Sequence, residues 1–345
     1  MKKAGVRNQS EHKYRKMMTA IGGTMVIFLV LFYLGSFLIS AMQAILMILP
    51  VTQVVAEVIY QLFYGAIYLL MFMVPVAFLK LFVKKSGFVY TPMKTNIRLP
   101  RLILPIVLGG IVLIMGQAYI NAQMVSIFNY NAFMEEMMGG SSGKIEGYQI
   151  VLQFIVIAVV PAFCEEFLFR GAILTNCLPF GRANAIVISS LLFALMHQNA
   201  AQTLYTFAAG IFLGIVYERT QSIWPGTFLH LVNNATSLVL SVFAQKLGER
   251  GQTDLAWMVL EGALYVVGII CIAILVIRMA PRKDQLEEGV FGKSLPATDH
   301  YAEYPVTPSQ AVRHFFNLPM VLFVAFSLLQ VVSLILLSVI YGAVA

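Results

Sequence analysis

Charge is what this sequence has least of. Only 23 Lys+Arg and 16 Asp+Glu stand among 345 residues, 11% in all, where an average soluble domain carries roughly 25%. So few charges cannot clothe a chain that is 59% hydrophobic; a soluble single-core fold is excluded and a bilayer becomes the expected solvent. Cysteine is scarce as well. Cys164, Cys177 and Cys271 are odd in number and lie among apolar residues, so there is no disulfide framework. No His-Glu-x-x-His segment occurs, which excludes a zincin helix. No pair of Gly/Pro-broken segments recurs in corresponding halves, which counts against a carrier built from inverted repeats. The net charge of +7 does not make a nucleic-acid surface, because six basic residues (Lys2, Lys3, Arg7, Lys13, Arg15, Lys16) are gathered in the first 16 positions as a topogenic tail.

Long apolar runs are what the sequence has in abundance. Stretches able to cross, or nearly cross, about 30 Å of hydrocarbon run roughly over 19–49, 52–83, 102–128, 149–176, 183–200, 203–219, 223–246, 256–280 and 318–341. The first is too long for a secretory h-region and reads as a retained anchor. The fifth and sixth are short and meet at His197-Gln198-Asn199, so a tight hairpin is expected there. The fold class is therefore all-α: a polytopic transmembrane bundle with an eight-helix core and a ninth, C-terminal helix. Its divisions are a basic cytoplasmic tail (1–18), three N-terminal spans (19–148), a central core (149–246), an eighth span (247–280), a cytoplasmic linker of low order (281–317) and the last helix (318–345). Connection charges support a cytoplasmic N-terminus in the cell membrane. Lys80, Lys84, Lys85, Lys94, Arg98, Arg101, Arg182, Arg219, Arg278, Arg282 and Lys283 fall on one side, and the net acidic set Glu135, Glu136, Lys144 and Glu146 on the other.

Ionisable residues inside spans are costly, so each is a functional candidate. The fourth span holds Glu165, Glu166 and Arg170, the fifth ends Phe193-Ala-Leu-Met-His197, and the seventh contains His230, Asn233 and Asn234. Glu166 and Arg170 are i,i+4 neighbours and can neutralise one another. Glu165 lies about 100° round the helix and must be protonated or find a partner on another span, where the strongly polar groups are His197, His230 and Asn233 or Asn234. From the helix rise, His230 lies about 10 Å from the cytoplasmic end of its span, Glu165 and Asn234 about 16 Å, and His197 about 21 Å. These groups can converge, and the site is expected to open toward the cytoplasmic half. Pro161 cannot donate to the Ile157 carbonyl and should bend its helix. A desolvated carboxylate near imidazoles can take a proton from water, while His and Asn donors can hold an oxyanion. One Glu with two His (Glu165, His197, His230) is equally a ligand set for a divalent metal such as zinc. Cys164, among Pro, Ala and Phe, reads as packing, Gly210-x-x-x-Gly214 as a helix-packing face, and Trp224 as an interfacial anchor.

Glu-Glu-x-x-x-Arg (Glu165, Glu166, Arg170), Phe-x-x-x-His (Phe193, His197) and His-x-x-x-Asn (His230, Asn234), in that order on successive apolar helices, resemble the CPBP intramembrane endopeptidases. That is the family of CAAX prenyl proteases and bacteriocin-processing or immunity proteins, also called the Abi family. The resemblance covers roughly 149–245. It implies that Glu165 activates water, that Glu166, Arg170 and Phe193 support it, that His197 holds water or a metal, and that His230 and Asn234 stabilise the oxyanion. The implied activity is cleavage of peptide bonds in membrane-anchored or lipid-modified substrates. The alternative is a non-catalytic immunity or scaffold protein that binds a peptide in the same cavity; a carrier using Glu165 and the histidines as proton sites is the third reading.

Overall fold

The computed structural model of the chain describes residues 2–85, 106–117, 147–249, 259, 263, 266–271, 273–274, 303–304 and 306–344. The described elements are helices: α1 (Lys2–Ile48), α2 (Gln53–Lys85), α3 (Ile106–Gln117), α4 (Gly147–Phe180, continuous but with changes of pitch), α5 (Arg182–Met196), α6 (Ala200–Thr220), α7 (Ile223–Glu249), α8 (Pro308–Phe315) and α9 (Leu318–Val344). This is an all-α helical bundle, and stretches within α1, α2, α4 and α9 are long and apolar enough to cross a membrane. Phe37, Ile48, Leu62, Leu81, Phe228, Leu318 and Leu329 are exposed, the outer surface of a multi-pass chain whose solvent is lipid. Within it, one core joins Met18, Ile21, Met25 and Phe28 of α1 to Phe72 and Leu79 of α2, Leu168 and Phe169 of α4, Leu192 of α5, and Met320 and Phe323 of α9.

Three expectations change. The basic tail is not separate from the first span, since α1 runs unbroken from Lys2. The fifth span does not extend to residue 200: α5 is 15 residues long, about 22 Å by its rise, and falls short of the roughly 20 residues a crossing needs. It stops because the polar turn finds partners inside the bundle. The His197 ring closes on the Phe193 carbonyl, Gln198 takes a positive φ of 49°, and the Tyr33 hydroxyl donates to Gln198 Oε1 at 2.6 Å. The linker is also ordered at its end. Tyr304 N–H donates to the Pro179 carbonyl, and α8 starts at a reciprocal cap in which Thr307 and Gln310 each bond the other's backbone N–H, with Pro308 in the first turn. Glu11 of α1 then accepts from Arg313, His314 and Gln310, so α8 and α9 are fastened to α1. The remainder of the third span beyond α3, most of the eighth and residues 281–302 lie outside the described residues.

Two glycines set the frame of the central hairpin. Gly181, at φ 120° and ψ 136°, lets the chain reverse from α4 into α5. Gly210 brings α6 onto α5 so closely that a Cβ would lie 2.9 Å from the Ser190 Cβ and 3.0 Å from its Cα. With Gly214 against Ile186 and Leu174, the Gly-x-x-x-Gly face packs helices as expected.

Candidate active site

α4 carries the carboxylates, and its pitch changes where Pro161 demands it. With no N–H at Pro161, residues 154–159 widen into a π segment in which Val160 N–H reaches the Ile155 carbonyl. The Asn234 amide of α7 lies 3.4 Å from the Ile157 carbonyl that Pro161 leaves free. One turn further on, Glu165 and Glu166 are both buried, and Arg170 is completely enclosed.

Glu166 and Arg170 form the expected pair at 2.6 Å. Arg170 also donates to the Gly210 carbonyl at 3.1 Å, and its guanidinium lies 4.4 Å from the centroid of the Phe193 ring. Phe193 in turn meets His197 and His230 edge-on, at 5.1 and 5.8 Å between centroids. The supporting trio of Glu166, Arg170 and Phe193 is thus one packed unit beneath both imidazoles. His230 Nδ1 lies 3.1 Å from Glu166 Oε1. That contact joins the third motif to the first through Glu166 as well as Glu165.

Glu165 is oriented by two different neighbourhoods. Its Oε1 accepts from the Tyr68 hydroxyl of α2 at 2.5 Å. Its Oε2 is buried with no hydrogen-bond partner among the described residues, and faces His230 Nε2 at 3.6 Å and His197 Nε2 at 4.0 Å. A carbonyl can only accept, so the 2.8 Å contact with Phe193 O puts a proton on His197 Nδ1. Similarly, Glu166 receives the Nδ1 proton of His230. In the neutral imidazoles both Nε2 lone pairs therefore point toward the Glu165 oxygen, an arrangement suited to hold one small proton donor between them.

Beside this cluster lies a cavity of about 90 Å³, lined by His197, His230, Asn233 and Asn234 with Gln202 and Tyr205 of α6, among others. Its lining rises along α6 toward Gln202, next to the α5–α6 turn, and along α3 to Gln117. Along α6 the lining runs from Gln202 to Leu213, and on α7 it takes in Leu229, His230, Asn233 and Asn234.

Glu165, His197 and His230 come together as expected, while Asn234 stands on the cavity wall with its amide on the Ile157 carbonyl. Asn233 also lines the cavity, accepting from Tyr205 at 2.5 Å. Tyr68 was missed by sequence reasoning, which looked for partners of Glu165 among His and Asn alone. The spacing of Tyr60, Tyr64 and Tyr68, one phenol per turn on a single face of an apolar helix, was the available signal.

Comparison with known proteins agrees with the three motifs. Residues 147–236 match the family described as "Type II CAAX prenyl endopeptidase Rce1-like". A Bacillus subtilis (strain 168) protein named "Putative membrane peptidase YdiL" is 30% identical over 96 residues, a match that spans 27% of this chain and 38% of that relative. No solved structure matches the chain. Residues 147–236, the stretch that carries the three motifs, are thus similar to the CAAX prenyl endopeptidase family, and the match spans well under two thirds of the Bacillus subtilis relative.

Proposed function

We propose that the chain is an intramembrane endopeptidase that hydrolyses peptide bonds of membrane-anchored or lipid-modified substrates, with Glu165 as the base. The observation that carries this reading is the buried, unpaired Oε2 of Glu165 facing two imidazole Nε2 atoms at 3.6 and 4.0 Å beside a cavity. A water held there donates its proton to Glu165, and its oxygen attacks the carbonyl carbon of the scissile bond. The oxyanion that forms is met by the Asn234 amide, while His230, whose Nδ1 proton goes to Glu166, orients the water through its Nε2 lone pair. Glu165 then gives its proton to the leaving nitrogen as the C–N bond breaks, and an acid and an amine result. As placed, Glu165, His197 and His230 do not form a metal-holding group, nor do any other His, Cys, Asp or Glu side chains among the described residues, and the steps above use a water and these side chains.

In the bilayer the N-terminus faces the cytoplasm, because Lys84, Lys85, Arg182 and Arg219 gather at one helix end. The decisive variant is Glu165→Gln, which keeps shape but removes the proton acceptor. Cleavage of acyl-anchored, quenched-fluorescence peptides in phospholipid vesicles should fall by about 10²–10⁴-fold, with helicity and thermal stability as in the parent. Equal cleavage by parent and variant would remove Glu165 from the reaction. A non-catalytic peptide-binding protein would instead show no cleavage by the parent and would retain peptides in both forms.

A further inference from the structure

Tyr68 stands outside the segment that matches the family, on α2, yet among the described residues its hydroxyl is the one hydrogen-bond donor to the Glu165 carboxylate. Its ring is held on both sides: Tyr64 stacks at 6.1 Å and 24°, and Phe72 at 4.9 Å and 27°. Phe72 is itself fully buried and packs edge-on against Phe28 of α1 at 5.2 Å. The hydroxyl is therefore not a rotating group at the end of a loose side chain. It is aimed by an aromatic ladder that is anchored in the α1–α2 core.

The two oxygens of Glu165 are divided by this arrangement. Oε1 is engaged by Tyr68, and Oε2 alone faces His197 and His230. A carboxylate free to rotate about its last torsion could offer either oxygen, because that torsion is broad and roughly two-fold. Resting on the base assignment above, we infer that Tyr68 is a positioning residue of the reaction: it fixes the Glu165 carboxylate in the one rotation that presents Oε2 to the histidines. Tyr68 does not line the cavity and touches no reacting atom. The consequence is that the catalytic unit is larger than the family segment. α1 and α2 belong to it, because they aim the base that α4 carries.

Tyr68→Phe deletes the hydroxyl and leaves the ring in its stack, so the fold should survive. Two readouts on the full chain in phosphatidylcholine/phosphatidylglycerol vesicles separate positioning from packing. The first is infrared difference spectroscopy, in which parent minus Glu165→Gln isolates the carboxyl bands of Glu165 and needs no substrate. Those bands should move in Tyr68→Phe. The second is cleavage of the acyl-anchored peptide pool: kcat should fall about 10²-fold, as for a reacting group misplaced by about 1 Å, with KM nearly unchanged and thermal stability retained. Tyr68→Ala, which also removes the ring from the ladder, should lose stability in addition. Unmoved Glu165 bands, or a parental kcat in Tyr68→Phe, would overturn the inference. If Glu165→Gln is inactive while Tyr68→Phe is fully active, the base assignment stands and the positioning role falls. If Glu165→Gln keeps full activity, both fall together.

Discussion

Removing Arg170 should damage the protein more than removing any other single side chain of the site, and the reason is what it leaves behind. The guanidinium is fully enclosed, bonded to Glu166 at 2.6 Å and to the Gly210 carbonyl at 3.1 Å, and stacked 4.4 Å over Phe193. Arg170→Met fills much of the same volume but strands Glu166, itself buried, without its counter-charge. Breaking a buried pair in this one-sided way costs about 3–5 kcal/mol. The lost ring contact, worth up to about 2 kcal/mol in a desolvated site, falls within that range, because effects that share one network do not add. At about 1.4 kcal/mol per factor of ten, a cost of about 3–5 kcal/mol should drop the folded-to-unfolded ratio by about 10²- to 4 × 10³-fold. The companion variant Arg170→Met/Glu166→Gln removes both charges and should recover about 2 kcal/mol or more. It should stay inactive, since Glu166 also meets His230 at 3.1 Å. Unfolding of the purified protein in detergent micelles by titration with dodecyl sulfate, followed by helicity, gives the three stabilities. A loss under about 1 kcal/mol in the single variant, or a double variant as unstable as the single, would refute the reasoning that an unpaired buried carboxylate is the cost.

Other consequences are open to direct measurement. Asn234→Ala should lower kcat by about 10²–10³-fold with a small change in KM if the amide meets the oxyanion; an unchanged kcat removes it from that role. Exhaustive chelation should leave peptide cleavage intact, and a loss reversed by added zinc would replace the water-only mechanism with a metal-assisted one. Gly210→Leu should separate α5 from α6 and withdraw the carbonyl that Arg170 bonds, so both thermal stability and activity should fall; parental melting would contradict the close approach to Ser190. Glu11→Ala frees Arg313, His314 and Gln310 from α1. The α8 amides should exchange with deuterium several-fold faster, in keeping with about 1 kcal/mol for an exposed ionic cluster, while those of α4 and α5 keep their protection.

The sequence was most legible where one residue's cost could be judged from its immediate neighbours. Glu166 and Arg170 are four residues apart on one helix, so their pairing follows from helical geometry, and the structure places them at 2.6 Å. Pro161 lacks an N–H, so a disturbance ahead of Glu165 was certain, though not that it would be a π segment. Where an outcome depended on which helix lies beside which, the sequence was silent. The partner of Glu165 Oε1 comes from a residue 97 positions away, and no local pattern distinguishes Tyr68 from Tyr60 or Tyr64 as the one that faces the carboxylate.

Composition alone required a membrane bundle, because so few charges and so many apolar runs leave no other solvent, and motif order alone brought Glu165, His197 and His230 forward as one set. Only the tertiary structure decided the length of α5, the partner of the Glu165 carboxylate on α2, the joining of His230 to Glu166, and the fastening of α8 and α9 to α1. Helical periodicity fixes which residues share a face, which is a property of a single segment. The facing of one helix to another is set by close packing at places such as Gly210 on Ser190 and by the satisfaction of buried polar groups across helices, and both depend on many residues at once.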